Sequence, residues 1–517
     1  MRFFDWCFRI LSGLLALVCT GLLFFGFFFT VVFRPYQEND YPDFYRIPVL
    51  PTLLVFLVTA LLLLWGLRRH RDEPAGSTDR MPVLPCLLML VWGLVFMLFL
   101  LAVIRGLPTN DAYILNGITL EFQQSDYHAL ADGYLVYCPH QLSYVWISEL
   151  LTAVFGANRF LPYQLLNVLS ILMTMFYLYR TAWVLTRDAR VCTALALLSP
   201  GCLMLYVYST FIYNDIWCLG PLFAAFYCLL RFLEHPQPGY GVAAALLAGI
   251  SFFIKTNGAV ALIAMGGILF VVCCRHLSAR DSQGALRCIL AGMLLILFAW
   301  GFQAGIKIYY EHRSGLEVQA GEPAAAYFAM GLNETDGKYG WYDGTNVRLL
   351  SEAGEDSALA AQAAVAQIRE RLAQFISRPR YAVKFFGIKF LSQWGDPTKA
   401  SLREQELTGR HQDRGALAEV LTYGAGYRVF QAVMQLFHLL LYFFAAIGCV
   451  QLCRRKTADP EQYLLPLFFF GGLLFHELWE ASGRYTLRYE LAMLPVAAMG
   501  MVWLADLLPP GKWRMHP

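Results

Sequence analysis

The sequence predicts a mainly α protein built as a bundle of transmembrane helices. Three observations carry this. Of 517 residues, 58% are hydrophobic and only 15% are charged, outside the usual balance of a water-soluble domain. Apolar runs of roughly twenty residues, the length that crosses a hydrocarbon core, recur about twelve times. The Lys and Arg residues fall in alternate connecting loops.

The expected spans lie at about 11–33, 47–67, 83–104, 161–180, 189–207, 216–233, 240–254, 257–275, 286–308, 427–453, 462–479 and 487–506. Arg2 and Arg9 precede the first run as they would in a signal peptide. The run is too long for one and has no small-residue cleavage site, so it reads as a retained anchor. The seventh run is short and fits part of a broken helix.

With the N-terminus cytoplasmic, the inner loops collect Arg2, Arg9, Arg68, Arg69, Arg71, Arg80, Arg187, Arg190, Arg275, Arg280, Arg287, Arg454, Arg455, Lys456, Lys512 and Arg514. The short outer loops keep few cations. This holds along the chain only if Gln141 to Phe155 does not cross. That segment is short, carries Glu149, and fits a helix lying in the outer interface. The polar stretch Leu107 to Leu142, the Tyr213-Asn214-Asp215 loop, the Lys255-Thr256-Asn257 turn and the Ser482-Gly483-Arg484 turn then share the outer face.

Four regions follow. Residues 1–80 hold two accessory helices, and 81–308 hold a core with its first outer loop at 105–160. Residues 309–426 form a small extracytoplasmic domain, and 427–517 the last helices. Within the third region, Asp356 to Ile376 has helical apolar spacing, and Asp336-Gly337 and Asp343-Gly344 mark turns. Lys384 to Trp394, aromatic and basic, suits a membrane surface.

Thirteen cysteines sit mostly inside apolar runs, as buried small hydrophobes and not a disulfide framework. A net charge of +3 gives no argument for nucleic acid. No Walker motif, nucleophile elbow or zinc-ligand spacing occurs, and no internal repeat. Asn333-Glu334-Thr335 fits the glycosylation acceptor pattern, a short and common match.

Charges near membrane depth are costly and need a reason. Asp111 and Asp215 could cap helix N-termini, or supply a general base for an attacking hydroxyl. Lys255 could snorkel, or stabilise a departing phosphate with Arg484, whose guanidinium fork suits phosphate oxygens. Arg488, one turn beyond Arg484, is expected to pair with Glu490, Glu477 or Glu480. His128 and His140, near Asp126 and Asp132, could hold a divalent cation, although their irregular spacing favours hydrogen-bonded structural histidines.

From the third span onward the chain resembles GT-C glycosyltransferases, particularly bacterial relatives of protein O-mannosyltransferases and the lipid A aminoarabinose transferase. The features that carry the resemblance are Asn110-Asp111-Ala112, Tyr137-Cys138-Pro139-His140-Gln141-Leu142, Tyr213-Asn214-Asp215, Phe253-Ile254-Lys255, Trp479-Glu480 and Gly483-Arg484-Tyr485. The resemblance implies an inverting transfer, on the extracytoplasmic side of a bacterial plasma membrane, from a polyprenyl-phosphate sugar donor to an envelope glycan, lipid or protein acceptor. It also implies Asp111 as base or acceptor-positioning acid, Asp215 as second-loop acid, and Lys255 and Arg484 near the donor phosphate. His128, His140, Asn257 and Tyr485 are expected to line the substrate site. Two departures stand out: Ala112 follows Asp111 where a second acid is expected, and the two spans before residue 80 have no counterpart.

A transporter or flippase of a lipid-linked envelope precursor is the alternative, since intrabundle charges also mark substrate pathways. It would show charge at mid-bilayer depth and commonly repeated halves. A non-catalytic scaffold would need no convergence of acids and cations.

Overall fold

A computed structural model describes residues 2–34, 41–69, 80–409, 415–455 and 457–508. Of the cations used for orientation, Arg71, Lys456, Lys512 and Arg514 lie outside the described residues. The fold is a polytopic helical bundle. Among the described residues, eight helices are long and apolar enough to cross a membrane: Phe3–Phe28, Val49–Arg68, Val83–Val103, Leu161–Thr186, Asn214–Glu234, Thr256–Ser278, Ser282–Ser314 and Ala416–Cys453.

Two more runs are helix pairs bent at a break. Ala189–Gly201 meets Leu203–Thr210 at 57°, and Gly483–Ala492 meets Leu494–Leu507 at 48°. Pro200 and Pro495 sit at these breaks, where a missing N–H and ring crowding interrupt the helical ladder. The other two runs form helices too short to span straight, Pro238–Ile254 with 17 residues and Leu464–Leu478 with 15. Every expected span is thus a helix, but the count of about twelve crossings falls to at most ten by length among the described residues.

Helix Ala425–Cys453 is the central post, packed by Arg2–Phe28 on one side and Leu494–Leu507 on another. Contact there is backbone to backbone. A Cβ on Gly448 would lie 2.2 Å from the Val496 carbonyl, and one on Gly500 would lie 2.1 Å from the Phe444 carbonyl. Small residues allow this closeness, which substitutes for the absent hydrophobic drive between helices in lipid. Outward faces stay apolar, as at Leu61, Leu62, Ile263 and Trp300.

Between the long helix Ser282–Ser314 and Gly395 lie four helices, Ala324–Gly331, Thr345–Glu352, Ser357–Ser377 and Pro379–Trp394. A two-residue hairpin, Glu334–Thr335 with Lys338–Tyr339, turns at Asp336 and Gly337, both at positive φ (52° and 76°), as the expected turn requires. The helix expected from Asp356 to Ile376 is present. Asp356 caps it, accepting from the N–H groups of Ala358 and Leu359. Asn333 spends its amide on Asp343 and Thr345, which leaves the glycosylation pattern committed to structure.

Lys384 to Trp394 does not simply lie on a surface. Lys389 and Trp394 are fully buried, and the Lys389 ammonium donates to the carbonyls of Gly331 (2.5 Å), Trp479 (2.7 Å) and Glu477 (3.0 Å). Three acceptors match the three protons of an ammonium. Burial lowers the Lys389 pKa to about 7. This contact fastens the polar region to the turn that precedes Arg484.

Candidate functional site

Asp215 is the centre. It lies at the second position of the short helix Asn214–Trp217, which follows the extended residue Tyr213. It is 4% exposed, and three cations converge on it. Lys255 Nζ is 3.1 Å from Oδ1, Arg484 Nε is 3.1 Å from Oδ2, and Arg488 Nη2 is 3.7 Å from Oδ1. These are ion pairs without aligned hydrogen bonds. The carboxylate therefore organises cations and does not cap a helix.

The cations arrive from two breaks in helical order. Lys255 is the extended residue between Pro238–Ile254 and a 3-10 turn at Thr256–Gly258. Its ammonium also reaches Asn214 Oδ1 (3.4 Å) and lies 4.4 Å from the centre of the Tyr213 ring. Arg484 and Arg488 stand one turn apart on Gly483–Ala492. The acid that Arg488 meets is Asp215, while Glu490, two residues on and so on another face of the helix, pairs with Lys399 at 2.5 Å. Arg484 also donates through Nη1 to Glu404 at 3.0 Å and lies against the rings of Phe211, Tyr213 and Tyr485. Tyr485 thus borders the cluster.

Asp111 joins through Tyr213, whose hydroxyl donates to Asp111 Oδ2 at 3.1 Å and accepts from Gln141 at 2.6 Å. Asn214 closes the circuit by donating to Gln141 Oε1 at 3.1 Å and to the Ile254 carbonyl at 2.9 Å. Asn110, before Asp111, has φ 49° and makes no side-chain cap. The polar region contributes here too. The Glu322 N–H bonds to the Tyr137 carbonyl, and its side chain accepts from Asn346 at 2.8 Å. Burial raises the Glu322 carboxyl above its ordinary value, and the Asp111 charge adds to the rise. A second acid, 211 residues downstream (322 − 111), thus lies within electrostatic reach of Asp111.

The histidines separate. His128 is exposed and has Asp132 at 3.8 Å, well removed from these contacts. His140 is half-buried, and burial together with the Lys255 charge lowers its pKa to about 4. Neutral at pH 7, it adds no positive charge for a phosphate. The pair does not build the cation site considered above. Among the described residues no three His, Cys, Asp or Glu side chains gather as metal ligands. Asn257 is half-buried in the turn after Lys255.

The lowered folded pKa of His140 has a testable sign. The unfolded side chain takes its proton near 6.5 and the folded one near 4, so this contribution to stability is present above pH 6.5 and lost as pH falls to 4. The loss amounts to about 3 kcal/mol. Melting curves between pH 7 and pH 4 should therefore fall less steeply for His140→Gln than for the wild type; parallel curves would mean the imidazole is not held neutral.

Sequence reasoning missed Glu404, Glu322, Gln141 and Lys399. The run Asp396-Pro397-Thr398-Lys399-Ala400-Ser401-Leu402-Arg403-Glu404-Gln405-Glu406 was the available signal, because it is charged yet almost wholly buried. Leu142–Phe155, expected to stay out of the membrane, is a 14-residue helix. Its Glu149 pairs with Arg313 (2.8 Å) and Tyr310 (2.6 Å) at the end of Ser282–Ser314.

Fold and site together describe a polytopic helical membrane protein with a buried acid–cation cluster. The family model for dolichyl-phosphate-mannose-protein mannosyltransferase matches residues 140–300. That stretch holds His140, Asp215 and Lys255 and stops short of Asp111 and Arg484. Among solved structures, the chain is similar to the Archaeoglobus fulgidus oligosaccharyltransferase in complex with zinc and sulfate, at 14% identity and TM-score 0.34. The likeness covers 86% of this chain and 48% of that one, so the chain spans about half its length. It is also similar to ArnT from Cupriavidus metallidurans bound to undecaprenyl phosphate, at 16% identity and TM-score 0.31, covering 81% of this chain and 77% of that one. No curated protein matches the chain.

Proposed function

We propose that the protein is a membrane glycosyltransferase that moves a sugar from a polyprenyl-phosphate-linked donor to an acceptor hydroxyl on the extracytoplasmic side. The observation that carries this reading is the meeting of Asp215, Lys255, Arg484 and Arg488, with Asp111 attached through Tyr213. The matching family, dolichyl-phosphate-mannose-protein mannosyltransferase, is named for a lipid-phosphate sugar, which supports the same donor class.

In this reading Lys255 and Arg484 hold the donor phosphate. Three cations, Lys255, Arg484 and Arg488, gather there around Asp215, and Glu404 also pairs with Arg484. The acceptor oxygen attacks the anomeric carbon while its proton passes to Asp111. A new C–O bond forms as the bond to the phosphate oxygen breaks, and that oxygen keeps the electron pair. One displacement inverts the anomeric centre. The cations stabilise the charge that develops on the departing phosphate. Asp215 holds the cations in place and is not itself the base, since its oxygens are committed to them. The acceptor is an envelope glycan, lipid or protein.

Mass spectrometry of lipids copurifying with the protein tests this directly. A polyprenyl-phosphate sugar is expected with the wild type and should be depleted in Arg484→Met. Identical lipids in both preparations, without a polyprenyl phosphate, would overturn the donor assignment.

A further inference from the structure

A second group of buried charges lies beside the Asp215 cluster and is not used by the transfer. Lys399 and Glu490 expose no side-chain surface and pair at 2.5 Å. His438 Nδ1 lies 3.4 Å from the other Glu490 oxygen, and the Tyr442 hydroxyl donates to Glu490 at 3.4 Å. A buried ion pair is poor evidence for stability, because desolvation opposes the attraction. Its presence calls for another reason.

The backbone supplies one. Lys399 and Ala400 are consecutive non-glycine residues in the left-handed region, at φ 49° and 60°. Such a turn persists only where its surroundings over-determine it. Here the Asp396 carboxylate accepts from the N–H groups of Thr398 (2.8 Å) and Ala400 (2.7 Å) and from the Thr398 hydroxyl (2.7 Å). The Tyr208 hydroxyl donates to the Lys399 carbonyl at 2.5 Å, and the ammonium donates to the Trp394 carbonyl at 3.1 Å.

This turn is the seat of helix Gly483–Ala492. A Cβ on Gly483 would lie 2.5 Å from Asp396 Oδ2 and 3.5 Å from the Ala400 nitrogen, so the helix start rests directly on the turn. Thr486 donates to the Gln393 carbonyl at 3.3 Å. At the far end of the helix, Glu490 is held by Lys399. The helix that leaves the turn, Ser401–Gly409, carries Glu404 to Arg484. One strap, residues 393–406, therefore grips a ten-residue helix at both ends, with Arg484 and Arg488 between the grips.

We propose that Lys399 and Glu490 are a positioning pair that fixes the axial placement of this helix and so aims Arg484 and Arg488 at the donor phosphate; the proposal rests on the functional reading above. The N-terminal helix completes the arrangement. Gln435 donates to the Gly26 carbonyl at 2.7 Å, and a Cβ on Gly26 would lie 3.7 Å from the His438 ring. The accessory helix without a counterpart in the resemblance thus packs against the residue that flanks the pair.

The test is a double-mutant cycle on the full chain in nanodiscs, with Lys399→Met, Glu490→Leu and both together. It reads melting temperature, affinity for undecaprenyl phosphate, and hydrogen exchange over residues 483–492. Each single change should lower the melting temperature, because it strands a buried charge. The double variant should recover the wild-type melting temperature yet bind undecaprenyl phosphate at least tenfold more weakly, with faster exchange over 483–492. Recovery of affinity and exchange together with stability would reduce the pair to a structural one and overturn the proposal. Glu490→Asp keeps the charge and withdraws it by one methylene. It should also weaken binding tenfold, and wild-type binding and exchange in that variant would overturn the proposal even if the others fail to fold. Equal binding by the wild type and Arg484→Met would instead sink the phosphate-site reading, while exchange over 483–492 still decides the positioning role.

Discussion

Asp111→Asn should lower sugar transfer by about 10²–10⁴-fold, the range expected when a general base is removed, with little loss of folded protein or donor binding. The substitution is nearly isosteric, and an amide oxygen can still accept from the Tyr213 hydroxyl at the 3.1 Å site. The Gln141–Tyr213–Asn214 circuit keeps its remaining bonds. Asp111 is only half-buried and makes no ion pair with Lys255, Arg484 or Arg488, so those cations keep their partners. What the variant loses is basicity alone. A purified assay with a polyprenyl-phosphate sugar reads the outcome, and turnover equal to the wild type would remove Asp111 from the base role.

Glu322 sharpens this expectation. Burial raises the proton affinity of the Glu322 carboxyl and the Asp111 charge adds to the rise, so a second acid lies within electrostatic reach of Asp111. No linear motif could show this, because the partner arrives from the polar region far downstream. The same logic separates what was legible from what was not. Apolar run length marked every spanning helix, since hydrocarbon thickness constrains sequence locally. The breaks at Asp111, Asp215, Lys255 and Arg484 were legible because polar residues interrupt apolar runs at their ends. The choice between partners was hidden. Arg488 has Glu490 two residues away, but the two leave the helix on different sides, and Arg488 meets Asp215 while Glu490 meets Lys399 from the strap. His128 and His140 are alike in sequence, yet the exposed His128 meets Asp132 while His140 lies close enough to Lys255 to feel its charge. Hydropathy marks where apolar runs lie but not how long their helices are, and the runs at Pro238–Ile254 and Leu464–Leu478 form helices of only 17 and 15 residues.

Asp215→Asn should be the most damaging single change to stability, costing about 3–5 kcal/mol, as expected when a buried charge loses its counter-ion. The variant keeps the volume but leaves Lys255, Arg484 and Arg488 with Glu404 as the remaining carboxylate in these contacts. Two consequences separate this from a simple packing defect. Removing one cation should recover part of the loss, so Asp215→Asn/Arg488→Met should melt above Asp215→Asn. An added anion should do the same: undecaprenyl phosphate should raise the melting temperature of Asp215→Asn more than that of the wild type, because a ligand that binds only the folded state stabilises it by mass action and here replaces the missing charge. Arg484 released from Asp215 would no longer be aimed, so transfer should fall even in the lipid-stabilised variant. A variant that melts with the wild type, with or without lipid, would show that the three cations do not depend on this carboxylate. The cluster could not then be the organised phosphate site on which the transfer depends.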